Sequence, residues 1–317
     1  MKNMNPEKIG VKVSEAKVGV STNSSHLLER EKFYWLDTNF LSVDFVPFEE
    51  AMDSYMEIED VEGIPCFKIE RNRLMVKGDF SKWEKEIKDK RYTLFGNLGI
   101  FSSWVLRTLE KEHDISTFHA CALVKGERFA IISGGAGAGK TVFILSALKK
   151  GWKIFSTEFV HFRVKGKVEF FKGPIRDAVR VDTFRYHFPE MVEDLGINLR
   201  EETGSKLVVD FSPFQVREYK LIDPEIILIF PHVEEKRERV IRKEIKDREI
   251  LLRNLFNNAS EKMEKSLLLY GKWAIPGLDT FPLAEKRRER LEKFLERGRV
   301  KESFLWVSGV KEVMEIV

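Results

Sequence analysis

The sequence predicts an α/β protein: a mixed sheet carrying a phosphate-binding loop, with a small α+β region ahead of it and helices behind it. Three observations lead there. The apolar run Phe129–Ser133 feeds directly into Gly134-Gly135-Ala136-Gly137-Ala138-Gly139-Lys140-Thr141, which fits G-x-x-x-x-G-K-[ST]; a helix-like VFILSALKK and a strand-like WKIFS follow. Several short β-type runs come in pairs around tight glycine turns, which implies antiparallel members in the sheet. Apolar residues at helical spacing among dense charges fill the last third of the chain.

In chain order, residues 1–29 hold few apolar anchors and a polar run, Ser21–Ser25, and are expected to be a loosely held, flexible segment. A small mixed region is expected over 30–113. Its aromatic-rich start (33–48) suggests one or two strands, Pro65–Ile69 and Leu74–Val76 a hairpin, and Trp83–Lys90 and Ile100–Glu112 helices. A P-loop nucleotide-binding domain with C-terminal helices is expected over 114–317. It opens with a hairpin, His119–Val124 and Arg128–Ser133 around Lys125-Gly126-Glu127. A turn centred near Gly126 would set His119 opposite Ser133, beside the first glycine of the loop. A second hairpin follows at Phe159–Val164 and Val168–Phe171, then strands at Lys206–Phe211 and Glu225–Phe230. The pattern turns helical from Val233 to about Leu269 and again at Leu283–Arg297, and Phe304–Val307 with Val310–Val317 forms a strand-like tail.

Composition limits the partners. With 54 Lys+Arg against 51 Asp+Glu, the chain lacks the one-sided basic excess of a nucleic-acid binder, and no nucleic-acid partner is expected. No run reaches the roughly 18–20 apolar residues of a bilayer span, so no membrane partner is expected either. Two cysteines, Cys66 and Cys121, make neither a disulfide framework nor a thiolate metal site, and a cytoplasmic location is expected. Abundant Lys, Glu and Arg beside a single glutamine, Gln215, lean toward a thermophilic source. A homo-oligomer is left open.

The glycine loop is where chemistry is expected. Its amides must turn inward around phosphate oxygens, and a Cβ would block both the turn and the approach. Gly134, Gly135, Ala136, Gly137, Ala138 and Gly139 would cradle the nucleotide at a helix N-terminus. Lys140 would reach the β/γ-phosphates, and the Thr141 hydroxyl would sit on Mg²⁺. Glu158 follows the next strand, whose C-terminal end opens at the same sheet edge as the loop. It is placed to hold Mg²⁺, directly or through water, or to take a hydroxyl proton; a surface glutamate is the plain alternative. His119 is a second candidate, as proton carrier or as donor to transferred phosphate. Arg176, Arg180 or Arg185 could neutralise charge during transfer. Asp210 ends a strand, as a cap or as a site residue, and Cys121 reads as core.

From His119 onward the order of elements resembles the HPr kinase/phosphorylase family, whose catalytic domain is related to the phosphoenolpyruvate carboxykinases. The resemblance lies in Phe118-His119-Ala120, Lys125-Gly126, Phe129–Ser133, the Gly134–Thr141 loop, Val142–Lys150, Gly151 and Ser156-Thr157-Glu158, and it covers about 115–160. It implies a mixed-sheet core of that type, ATP and Mg²⁺ as cofactors, and phosphoryl transfer to a protein serine or a small hydroxylated metabolite. Glu158, His119 and Arg176 would be the catalytic residues. The pattern departs at Thr157, which stands where the family has the first acid of a pair. Only Gly173-Pro174-Ile175-Arg176 echoes the family's glycine turn around its catalytic arginine, and no HPr-docking segment is recognisable. A nucleotide-binding regulatory or assembly protein without transfer is the alternative. An ATPase or GTPase switch is disfavoured by the want of a clear second magnesium motif.

Overall fold

A computed structural model of the chain describes residues 6–49, 51–199, 206–234, 237–311 and 313. It is a mixed α/β protein with several sheets and C-terminal helices, and the chain divides into two compact units, 1–115 with 262–283, and 116–261 with 284–317. No helix among the described residues is long and apolar enough to cross a membrane.

The first unit holds a six-stranded sheet made of β1 (Glu7–Val13), β2 (Ala16–Thr22), β3 (Val43–Val46), β4 (Ser54–Asp60), β5 (Cys66–Glu70) and β6 (Arg73–Gly78), ordered β3-β1-β2-β4-β6-β5. Helices α1 (Phe80–Glu86) and α2 (Ile100–Glu112) follow. The expected flexible segment over 1–29 is corrected over 7–22, while residues 1–5 lie outside the described residues. Residues 7–22 form a hairpin inside this sheet, because Val11, Val13, Ala16, Val18 and Val20 bury one face at a period of two. The aromatic stretch at 33–48 yields only one strand, β3. Before it, Arg30–Thr38 coils as a 3-10 helix that buries Phe33 and Leu36, three apart, with Phe33 stacked on Phe95. The β5–β6 hairpin and α2 stand as expected.

The second unit is organised by a nine-stranded sheet. Its first strands are β7 (Ser116–Lys125) and β8 (Arg128–Ser133). After α3 (Lys140–Lys149) come β9 (Lys153–Ser156), β10 (Phe159–Lys165) and β11 (Lys167–Phe171). A separate ribbon, β12 (Arg176–Arg180) with β13 (Lys206–Asp210), flanks α4 (Met191–Asp194) in sequence. Strands β14 (Lys220–Ile222), β15 (Glu225–Val233) and β16 (Ile241–Glu244) precede α5 (Arg248–Glu264). The helical pattern therefore starts at Arg248 rather than Val233, since 241–244 is taken up by pairing as an edge strand. The short hairpin β17 (Leu267–Leu269) and β18 (Trp273–Ile275) belongs to the first unit. Then α6 (Phe281–Arg297) and β19 (Arg299–Ser308) end the chain's regular structure. Val310 is helical rather than strand-like, and 312 and 314–317 of the expected tail lie outside the described residues.

The sheet order is β14-β11-β10-β7-β8-β15-β19-β16, with β9 also paired to β7. β15 runs parallel to both β8 and β19, whereas β7 is antiparallel to β8, β9 and β10, so the sheet is mixed. Both β8 and β9 oppose β7, so their C-terminal ends open at one edge. β7 shows how the two faces are filled. Phe118, Ala120 and Ala122 join Leu255, Ala259, Leu291 and Phe294 of α5 and α6 in one core, while Cys121 and Leu123 join Phe143, Ile144 and Ala147 of α3 in the other. Helices thus cover both faces, and the site sits at the edge where β8 and β9 end.

Candidate functional site

The glycine loop spans from the end of β8 to the start of α3, and its backbone explains its composition. Gly137 and Gly139 have φ of 84° and 99°, a region that side chains disfavour. A Cβ on Gly139 would also run into the Val233 side chain at the end of β15, and Val233 N donates to Ala138 O at 3.2 Å. The loop is therefore clamped from behind by a neighbouring strand. Lys140, the first residue of α3, is buried, and its Nζ donates to the carbonyls of Gly134 (2.7 Å) and Gly135 (3.3 Å).

His119 and Glu158 come to the same place. The two-residue turn of the β7–β8 hairpin, with Gly126 at φ 60°, pairs Lys125 with Arg128. Ala120, not His119, consequently faces Ser133, and the expected register is corrected by one residue. The His119 carbonyl instead accepts from Gly134 N at 3.4 Å, so the strand still meets the loop at its first glycine. The His119 ring is 2% exposed. Its Nε2 lies 2.8 Å from Glu158 Oε1 and 3.0 Å from Lys140 Nζ, and its Nδ1 lies 2.7 Å from Glu261 Oε2. Glu158 Oε2 is 3.6 Å from Lys140 Nζ. Acid, imidazole and lysine thus form one contiguous polar cluster at the mouth of the loop.

Thr157, where the sequence pattern departs, and Thr141, which fits it, both bond to β12. Thr157 is fully buried, and its Oγ1 donates to Arg176 O at 2.8 Å, with Pro174 O at 3.2 Å. It ties the turn after β9 to the start of β12. That strand then turns Asp177 toward the loop, and Thr141 Oγ1 donates to Asp177 Oδ2 at 3.1 Å. Burial, and next the negative charge of Glu158, push the Asp177 carboxyl up to about 6, against the pull of Lys140 and the Thr141 hydroxyl. Asp177 is the acid that sequence reading missed. The signal was present: Asp177, Val179 and Val181 alternate, and both valines lie in the core that packs on α3.

The same alternation corrects the arginine assignment. Arg176 faces away from Asp177 on β12 and pairs with Asp210 Oδ2 at 3.4 Å. Arg180 is exposed, and Arg185 pairs with Asp182 at 3.7 Å. The residue that β12 directs at Thr141 is an acid rather than a cation. Asp210 also accepts from Ser212 N at 2.9 Å, the strand-end capping role. Cys121 lies in the core, where burial drives its thiol far above the ordinary range.

Among the described residues no group of three or more His, Cys, Asp or Glu side chains stands together as a metal site. What the loop mouth offers is two carboxylates, Asp177 and Glu158, and the Thr141 hydroxyl. That all-oxygen set suits Mg²⁺, which takes one or two protein carboxylates and completes its shell with water and phosphate. A surface cavity of about 450 Å³ opens at the other end of β8, beside Gly126 and Gly151, and none of the loop-mouth residues lines it.

No protein-family model matches the chain, and no curated protein matches its sequence.

Proposed function

We propose that the chain is an ATP-dependent phosphotransferase of the HPr-kinase-like group, built on a core of the type shared with phosphoenolpyruvate carboxykinases, acting on a protein serine or a small hydroxylated metabolite. One observation carries the reading: Lys140, Thr141, His119, Glu158 and Asp177 converge from four separate elements on one clamped glycine loop. Phosphoryl transfer asks mainly for positioning and for charge stabilisation, and this set supplies both. The amides of 134–141 and Lys140 hold the β/γ-phosphates. Thr141, Asp177 and Glu158 are the residues to hold Mg²⁺, which when bound neutralises charge on the phosphate oxygens. Glu158, held 2.8 Å from His119 Nε2, takes the proton of the acceptor hydroxyl on its carboxylate.

The test is nucleotide binding, hydrolysis and transfer by the wild type, Lys140→Ala and Glu158→Gln, screened against small alcohols and serine-containing proteins. The expected outcome is loss of nucleotide affinity in Lys140→Ala. In Glu158→Gln, retained binding should accompany turnover lowered by about 10²–10⁴-fold, the usual share of general base catalysis. A wild type that binds nucleotide but turns over no acceptor would favour a regulatory nucleotide-binding protein. The observation behind that second reading is Thr157, a buried backbone tie where the resembled family has an acid.

A further inference from the structure

Two residues of α5, more than 130 positions downstream, grip His119 in different ways. Asn258 and Glu261 are three apart and share one face of the helix. Asn258 Nδ2 donates to the His119 carbonyl at 2.8 Å, and Glu261 Oε2 lies 2.7 Å from Nδ1 of the ring. The helix that carries them is seated by Leu251, Leu255 and Ala259 in the core that also holds Phe118 and Ala120, the neighbours of His119 on β7. Backbone and ring of the histidine are thus fixed by one rigid element. The other Glu261 oxygen stands 3.5 Å from where a Cβ on Gly135 would be, so the same carboxylate faces the glycine loop.

We infer that Glu261 is a positioning residue for the reaction at the loop, holding the hydrogen of His119 on Nδ1 and its Nε2 toward Glu158 and Lys140, with Asn258 anchoring the backbone beneath it. An ionised carboxylate can only accept, so the hydrogen between Glu261 and Nδ1 belongs to the ring. With that hydrogen fixed on Nδ1, Nε2 is the nitrogen that meets Glu158 at 2.8 Å and Lys140 at 3.0 Å. A carboxylate behind a histidine sets ring orientation and tautomer in the same manner in hydrolytic triads and behind metal-ligating histidines. The catalytic consequence rests on the phosphotransferase reading; the hydrogen-bond assignment does not.

The test therefore has two arms. In the first, kcat and KM for nucleotide turnover are measured for the wild type, Glu261→Gln and Glu261→Ala, with and without added formate. The expected result is kcat lowered by about 10–100-fold in Glu261→Ala, the usual cost of losing such an outer partner, at an unchanged nucleotide KM. Formate should recover part of the loss, which repair of a merely structural defect would not show. Glu261→Gln, equal in volume, should fall between the two and covers the case in which the alanine variant fails to fold. In the second arm, long-range ¹H–¹⁵N spectra of ¹⁵N-histidine protein identify which His119 nitrogen carries hydrogen. Nδ1–H is expected in the wild type, and a changed pattern in Glu261→Ala. A wild type without turnover sinks the phosphotransferase reading while the second arm still decides the role of Glu261. Unchanged kcat together with an unchanged His119 spectrum in both variants would overturn the inference.

Discussion

Replacing Asp177 by Asn should make the protein more stable above pH 6 and less able to use a nucleotide. The Asp177 carboxyl is pushed from an ordinary 3.8 to about 6, first by burial and then by Glu158. A carboxyl raised in the folded state contributes stability that is fully present below about 4 and is lost as pH rises through 6. The difference between 3.8 and about 6 corresponds to roughly 3 kcal/mol at 1.36 kcal/mol per pKa unit. Partial solvent exposure of the site reduces this to about 1–3 kcal/mol. Asn keeps an oxygen to accept from Thr141 and removes the charge. At pH 8, without divalent cations, the thermal midpoint of Asp177→Asn should exceed that of the wild type by about 2–12 °C, taking 2–4 °C per kcal/mol for a unit of this size. At pH 4 the two should coincide. Buried His161, depressed to about 4, works in the opposite direction over the same pH window, but both proteins carry it and it cancels. Mg²⁺ with nucleotide should raise the wild-type midpoint and leave the variant's nearly unchanged. An equal gap at both pH values, or a less stable variant at pH 8, would refute the electrostatic argument.

Further outcomes follow from the same geometry. Gly139→Ala places a Cβ at φ 99° against Val233, and a loss of about 1–3 kcal/mol is expected by denaturant titration. Thr157→Val leaves the Arg176 carbonyl without its buried donor and should cost about 1–3 kcal/mol, whereas Thr157→Ser, which keeps the hydroxyl, should cost clearly less in the same titration. A maleimide reagent should label exposed Cys66 in the folded protein and reach buried Cys121 only on unfolding, giving one adduct by mass spectrometry under native conditions.

How far the chain could be read without coordinates differs from one residue to the next, for physical reasons. The loop, the two hairpins and the strand ending at Ser156 were legible because each rests on contacts between near neighbours in sequence: glycine turns, alternating apolar residues, a helix starting at Lys140. The common edge for loop and Glu158 followed from strand direction alone. The 7–22 hairpin carried the same alternation but was masked by the polar run that follows it. Asp177 was hidden because 175–180 was not read as a strand, and Arg176 drew the attention that belonged to its neighbour.

Other features had no local trace. Nothing in Asn258-Ala259-Ser260-Glu261 distinguishes it from a solvated helix turn, and the one-residue register of His119 depends on a turn whose length only pairing reveals. Local chemistry sets where the backbone can turn and which face of a strand is apolar. Which distant carboxylate meets an imidazole is set by how α5 seats on the sheet, a long-range packing outcome spread over many weak contacts. The linear order of residues therefore located the loop and one acid beside it and carried the alternation that places Asp177, whereas the partner Glu261 came into view only once the chain was packed.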